Sequence, residues 1–152
     1  MYQSPDIHFT SQLLPSTESV YFAIRTNHND HPRVVCISGR SGRVCWQSEP
    51  LYSVNIACAN SYYGGAHVVY ITDDRNLVLT RAIIDGGRIQ LTTCKKPISE
   101  DIDPCALQVD SANKIVILLT IPSDYGYRIV YHDENIENMS NTLPNQVSYY
   151  DQ

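Results

Sequence analysis

The feature that most constrains this chain is a strand–loop–strand unit that recurs along it, and repeats are to be sought before any fold is proposed. Ser19-Val20-Tyr21-Phe22-Ala23-Ile24-Arg25 aligns with Ser53-Val54-Asn55-Ile56-Ala57-Cys58-Ala59 and with Lys114-Ile115-Val116-Ile117-Leu118-Leu119-Thr120. After a polar loop come Arg33-Val34-Val35-Cys36-Ile37, His67-Val68-Val69-Tyr70-Ile71 and Arg128-Ile129-Val130-Tyr131-His132. Val20 to Arg33, Val54 to His67 and Ile115 to Arg128 are each 13 positions apart, and each second strand opens on a basic residue. The expectation is that Ile24, Ile56 and Ile117 are buried on strands that pair antiparallel with those second segments.

A third strand follows in each copy: Arg43–Trp46, Asn76–Thr80 and, more weakly, Asn135–Glu137. The second copy adds Gly87–Thr92 after an Asp85-Gly86 hairpin signal. Short runs rich in Val, Ile and Tyr, broken by Gly, Asn, Asp and Pro, carry no long helical period and specify strands and turns. The chain is therefore expected to be all-β, with an extended lead-in over 1–18 and one repeat domain over 19–152. The repeats lie near 19–52, 53–94 and 106–140, with a Pro-containing connection from Lys95 to Asp110 and a closing strand through Val147–Tyr150. Repeated antiparallel meanders at this spacing read as β-propeller-like, with a β-sandwich as the alternative. Propellers have about four to eight blades, so three units imply a hidden fourth sheet, ring completion between copies, or folding back into a sandwich or barrel. Because an open array leaves an unpaired edge, a homo-oligomer is expected.

Composition narrows the function classes. The chain has 152 residues, 43% of them apolar and 18% charged, which is enough for one domain with a real core. Its 11 Lys and Arg against 16 Asp and Glu give a net charge of −5 without a basic block, so nucleic acid is not an expected partner. No apolar run is long enough to span a bilayer as a helix, and Met1–Asp6 lacks the form of a signal peptide. No membrane partner and a cytoplasmic location are the corresponding expectations. Five cysteines (Cys36, Cys45, Cys58, Cys94 and Cys105) form no C-x-x-C pair. A turn at Arg40-Ser41 would set Cys36 opposite Cys45, either as a bonded pair or as two small buried hydrophobes.

Gly64-Gly65-Ala66-His67-Val68-Val69-Tyr70-Ile71-Thr72-Asp73-Asp74-Arg75-Asn76-Leu77, followed by Ile84–Arg88, resembles a blade of the fungal fucose-binding β-propeller lectins. Tyr127–Ile136 is similar, and Pro32–Val35 more loosely so. In that family an Arg opening the second strand, a Glu on the third strand and aromatic rings build a sugar site between blades. The Arg offers a fixed fork of donors, the Glu accepts from hydroxyls, and the ring packs on the C–H face. The resemblance assigns the Arg position to Arg33 and Arg128, with His67 in its place in the second copy. The Glu positions hold Trp46, Leu79 and Asn138, unless a one-residue slip brings in Glu137, and Arg88 stands where the family has a Trp. The resemblance thus implies a carbohydrate-binding module with partly degraded sugar sites.

Tyr63 and Tyr125, on Gly-flanked loops, offer flat amphipathic contact area. Trp46, the single tryptophan, is a further candidate ring, and core packing is its other role. The candidate ligand-binding residues are therefore Arg33, Trp46, Tyr63, His67, Tyr125 and Arg128. His28, Asp30 and His31 fall short of a metal-ligand set, and Asp73-Asp74 and Glu100-Asp101 read as solvated turns. With no nucleophile motif or phosphate loop, no catalytic residue, metal or cofactor is expected. The chain reads as one that binds a glycan or, as the alternative, another protein through a non-catalytic β scaffold.

Overall fold

The computed structural model describes the backbone of residues 7–9, 20–27, 29–60, 65–98, 101–109, 115–123, 126–133 and 145–150, and the side chains of 20–26, 29–60, 65–98, 101–107, 117, 119 and 120. These residues form twelve strands and no helix. They are β1 (Ile7–Phe9), β2 (Val20–Asn27), β3 (Asp30–Ser38), β4 (Val44–Gln47), β5 (Ala57–Asn60), β6 (Ala66–Ile71), β7 (Asn76–Asp85), β8 (Arg88–Pro97), β9 (Asp103–Val109), β10 (Ile115–Ser123), β11 (Gly126–Asp133) and β12 (Asn145–Tyr150).

All pairing is antiparallel, in three sheets. Sheet I runs β1-β2-β3-β4, sheet II runs β5-β6-β7-β8 with β12 added beside β8, and sheet III runs β9-β10-β11. Alternation along the strands decides how they stack. Val20 and Phe22 of β2 and Val34 and Cys36 of β3 pack on Ala66, Val68 and Tyr70 of β6 and on Val78, Ala82, Ile89 and Leu91. The other face of sheet II presents Val69, Ile71, Leu77, Leu79 and Cys94 to Ile117 and Leu119 of sheet III. Sheet II is therefore the middle layer. That is why β6 is buried along its whole length and is apolar at every position except His67, rather than alternating.

The expected pairings largely appear. Ile24 lies opposite Val34, Cys58 opposite Val68 and Leu119 opposite Val130. The first two registers coincide under the 34-residue shift, whereas the third is displaced by one residue. Ile24 and Ile117 are buried. Ile56 is half-buried and precedes β5, because the chain turns at Ser53, whose hydroxyl accepts from the Asn55 N–H at 3.1 Å. Residues equated by that shift, such as Val34 with Val68 and Phe22 with Ile56, meet within one core cluster. They face one another across sheets I and II rather than pointing the same way through the stack. Among the described residues the sheets do not close into a barrel or ring.

Three further differences have local causes. The lead-in contributes β1, paired with Ala23–Arg25. The stretch read as a connection holds the end of β8 and all of β9, whose Pro104 sits at a bulge opposite Leu118 and Leu119. A bulge is where a residue without an N–H is tolerated inside a strand. The hairpin after Asp85 is made by Gly86 and Gly87, both at positive φ (59° and 78°), as a two-residue primed turn requires. The expected third strand of the third copy, Asn135–Glu137, lies outside the described residues.

Candidate functional site

β4 is short and irregular. Cys36 lies opposite Trp46 and Ile37 opposite Val44, so Cys45 is an extra residue in a β-bulge and not the partner of Cys36. A bulge re-aims side chains. Here Cys45 and Trp46, although consecutive, both pack on the core between sheets I and II. The Trp46 ring meets Phe22 edge to face, with centroids 6.3 Å apart and planes at 81°.

Beyond Trp46 the chain leaves sheet I while staying bonded to it. The Val34 N–H donates to the Ser48 hydroxyl at 2.9 Å and the Ser48 N–H to the Val34 carbonyl at 2.8 Å. Arg33 Nη1 donates to the Ser48 carbonyl at 3.0 Å, and its Nε reaches Asp30 Oδ2 at 3.4 Å. The chain then crosses to sheet II, where Leu51 bridges Thr72. This fixed segment and the facing surface of sheet II enclose a cleft of about 260 Å³, whose lining includes Trp46, Glu49, Tyr70, Thr93 and Lys95.

The cleft combines an aromatic wall, a charged rim and a hydroxyl floor. At the rim Lys95 Nζ lies 3.3 Å from Glu49 Oε1, and the Glu49 side chain is 56% exposed. At the floor Tyr70 Oη and Thr80 Oγ1 are 2.9 Å apart, and Thr80 and Thr93 hydroxyls 3.1 Å apart. Burial, with the Glu49 charge adding to it, pushes the Tyr70 hydroxyl well above its ordinary pKa, so it stays protonated. Along this hydroxyl row either partner can donate. Thr93 can therefore present a donor or an acceptor to whatever enters.

Of the sequence candidates, Trp46 lines the cleft and Arg33 braces its wall from behind. His67 lies on the opposite face of sheet II, sharing the parity of Val69 and Ile71, and is 1% exposed. Neither of its ring nitrogens has a hydrogen-bond partner among the described residues. Desolvation, with the Arg81 charge second, lowers its pKa from 6.5 to about 4. Arg128, on β11, pairs with Ile121 of β10, and its side chain lies outside the described residues, as do Tyr63 and Tyr125 altogether. Glu49, Tyr70, Thr93 and Lys95 were not singled out from sequence. The one local signal was the polar Gln47-Ser48-Glu49 directly after the lone Trp.

No group of three or more His, Cys, Asp and Glu able to hold a metal occurs among the described residues, and they contain no helix long and apolar enough to cross a membrane. No family model, curated protein or solved structure matches this chain.

Proposed function

We propose that the chain binds carbohydrate in the cleft between sheets I and II. The observation that carries this reading is the meeting of an indole wall with a carboxylate, an ammonium and hydroxyls in one small concavity. An aromatic face suits the C–H side of a sugar ring, and the polar groups offer both acceptors and donors to its hydroxyls. At about 260 Å³ the space falls just below the roughly 300–1,000 Å³ of drug-sized sites, which fits a single sugar ring. The acid is Glu49, beyond the third strand and partnered by Lys95, while Arg33 is engaged with Asp30 and Ser48. The site is thus a variant of the inter-blade lectin arrangement, set between two meanders that face each other as in a sandwich, with self-association covering the open sheet edges.

Titration of a monosaccharide panel, followed by Trp46 fluorescence and calorimetry, tests the reading. Binding is expected for the unmutated chain, with a loss of tenfold or more in Trp46→Ala and in Glu49→Gln. If no glycan binds at millimolar concentration, the carbohydrate reading fails. A protein-interaction scaffold then stands, favoured by Tyr52 and Val54, which are 52% and 56% exposed on the crossing segment.

A further inference from the structure

We propose that Cys36 and Cys45 are an oxidant-sensitive thiol pair that closes to a disulfide beneath Trp46. None of the five cysteines is disulfide-bonded in the structure. Cys36 is buried on β3 and Cys45 half-buried on β4, and no other two cysteines lie on neighbouring strands. The bulge brings them together: with Cys36 opposite Trp46 and Ile37 opposite Val44, Cys45 is the inserted residue beside Cys36, and both side chains join the same core cluster. The Cys45 thiol donates to the Cys36 carbonyl oxygen at 3.4 Å. The Cys36 thiol is hydrogen-bonded to Cys45, and that bond, with burial behind it, holds its pKa well above the ordinary value.

This asymmetry divides the roles. Cys36 is fully buried and shielded, whereas Cys45 is only half-buried, so Cys45 is the sulfur an oxidant reaches first. A thiolate, not a thiol, is the nucleophile. With a hydroperoxide as oxidant, the Cys45 thiolate attacks one peroxide oxygen. The O–O bond breaks, and the departing oxygen takes up a proton to leave as an alcohol or, from hydrogen peroxide, water. Cys45 is then a sulfenic acid. The Cys36 sulfur attacks the Cys45 sulfur, the S–O bond breaks, and hydroxide leaves with the Cys36 proton as a second water. Two thiols give up two electrons and the peroxide gains them. The exposed Cys105 has no neighbouring thiol on its sheet and cannot follow this course within one chain.

Trp46 is next in sequence to Cys45, shares the bulge and forms the cleft wall. Closing the disulfide therefore changes the surroundings of the chain's single indole, whether or not the cleft takes a sugar.

The test treats the purified, unliganded chain with hydrogen peroxide, blocks the remaining thiols with a maleimide after denaturation, and digests with trypsin. Cleavage after Arg33, Arg40, Arg43 and Arg75 places Cys36 in peptide 34–40, and Cys45 together with Cys58 in peptide 44–75. The expected result is that most of peptide 34–40 becomes joined to 44–75. The linkage should reverse with dithiothreitol, persist in Cys58→Ala and disappear in Cys45→Ala. Trp46 emission should fall and recover with the same time course. Recovery of 34–40 with Cys36 maleimide-labelled while Cys105 is oxidised would overturn the proposal. So would a linkage lost in Cys58→Ala, a readout that holds even if Cys45→Ala does not fold.

Discussion

Thr80→Val removes the centre of the hydroxyl row under the cleft, and its cost follows from what is left behind. Thr80 is fully buried and is the neighbour of both the Tyr70 and Thr93 hydroxyls. Valine keeps the shape, so packing changes little. The Tyr70 hydroxyl, on a side chain only 2% exposed, then loses its partner, and an orphaned buried hydroxyl costs about 1–3 kcal/mol. Thr93 is half-buried and turns to water. The sum is a destabilisation of about 1–3 kcal/mol. Tyr70→Phe takes away the same 2.9 Å bond from the other side. Thr80 retains Thr93, so the loss is that of one neutral hydrogen bond, about 1 kcal/mol. In the double variant the orphan is gone, and Tyr70→Phe should restore about 1 kcal/mol to Thr80→Val. Urea unfolding followed by Trp46 fluorescence reads all three, and each kcal/mol corresponds to roughly 2–4 °C in Tm at this size. If Tyr70→Phe instead adds its full single-variant cost to Thr80→Val, the hydroxyls do not act as a row.

His67 binds its proton near pH 6.5 when unfolded but only near 4 when folded. Stability should therefore be full above 6.5 and fall by roughly 3 kcal/mol on acidification through that window; His67→Leu should flatten this slope in urea melts at stepped pH, and an unchanged slope would refute it. Arg75, at φ 65°, stacks 4.2 Å from the Tyr52 ring centroid and bonds Asp101. Arg75→Ala keeps the left-handed strain while losing both contacts, so it should be less stable than Arg75→Gly by up to about 1 kcal/mol, and the reverse order in thermal melts would sink the argument. Light scattering at micromolar concentration should find a homo-oligomer, and a clean 17.2 kDa monomer would remove the ring-completion model.

The strands that were legible in the sequence are those whose burial is local. β2, β3, β6 and the β7–β8 hairpin carry β-branched and aromatic runs closed by Gly or polar turns, and that chemistry does not depend on distant partners. β9 was not legible because Pro104 argues against a strand until the bulge beside it, at Cys105, is known. Nor was the displacement of Cys45, since a turn centred on Arg40-Ser41 predicts regular pairing and only the bulge moves the register to Trp46. The site was less legible still. Glu49 lies on the segment that crosses from sheet I and Lys95 on β8 of sheet II, and their approach depends on how sheet I is laid over sheet II. No spacing in the chain records that. His67 reads as a strand-opening polar residue, yet the burial of both faces of β6 puts it inside.

Because β12 pairs with β8 while sheet III is made from the chain between them, sheet III is an insertion tethered at both ends to the middle layer. It cannot be handed to a second copy by opening one hinge, as a terminal segment can. Both of its tethers would have to release, including the pairing of Asn145–Tyr150 with Arg88–Thr93. That pairing closes a loop of about 50 residues, an ordering cost of roughly 3 kcal/mol on chain-entropy grounds. The late strand thus works as a latch. The middle sheet gains its last strand only from chain that lies beyond everything inserted into it.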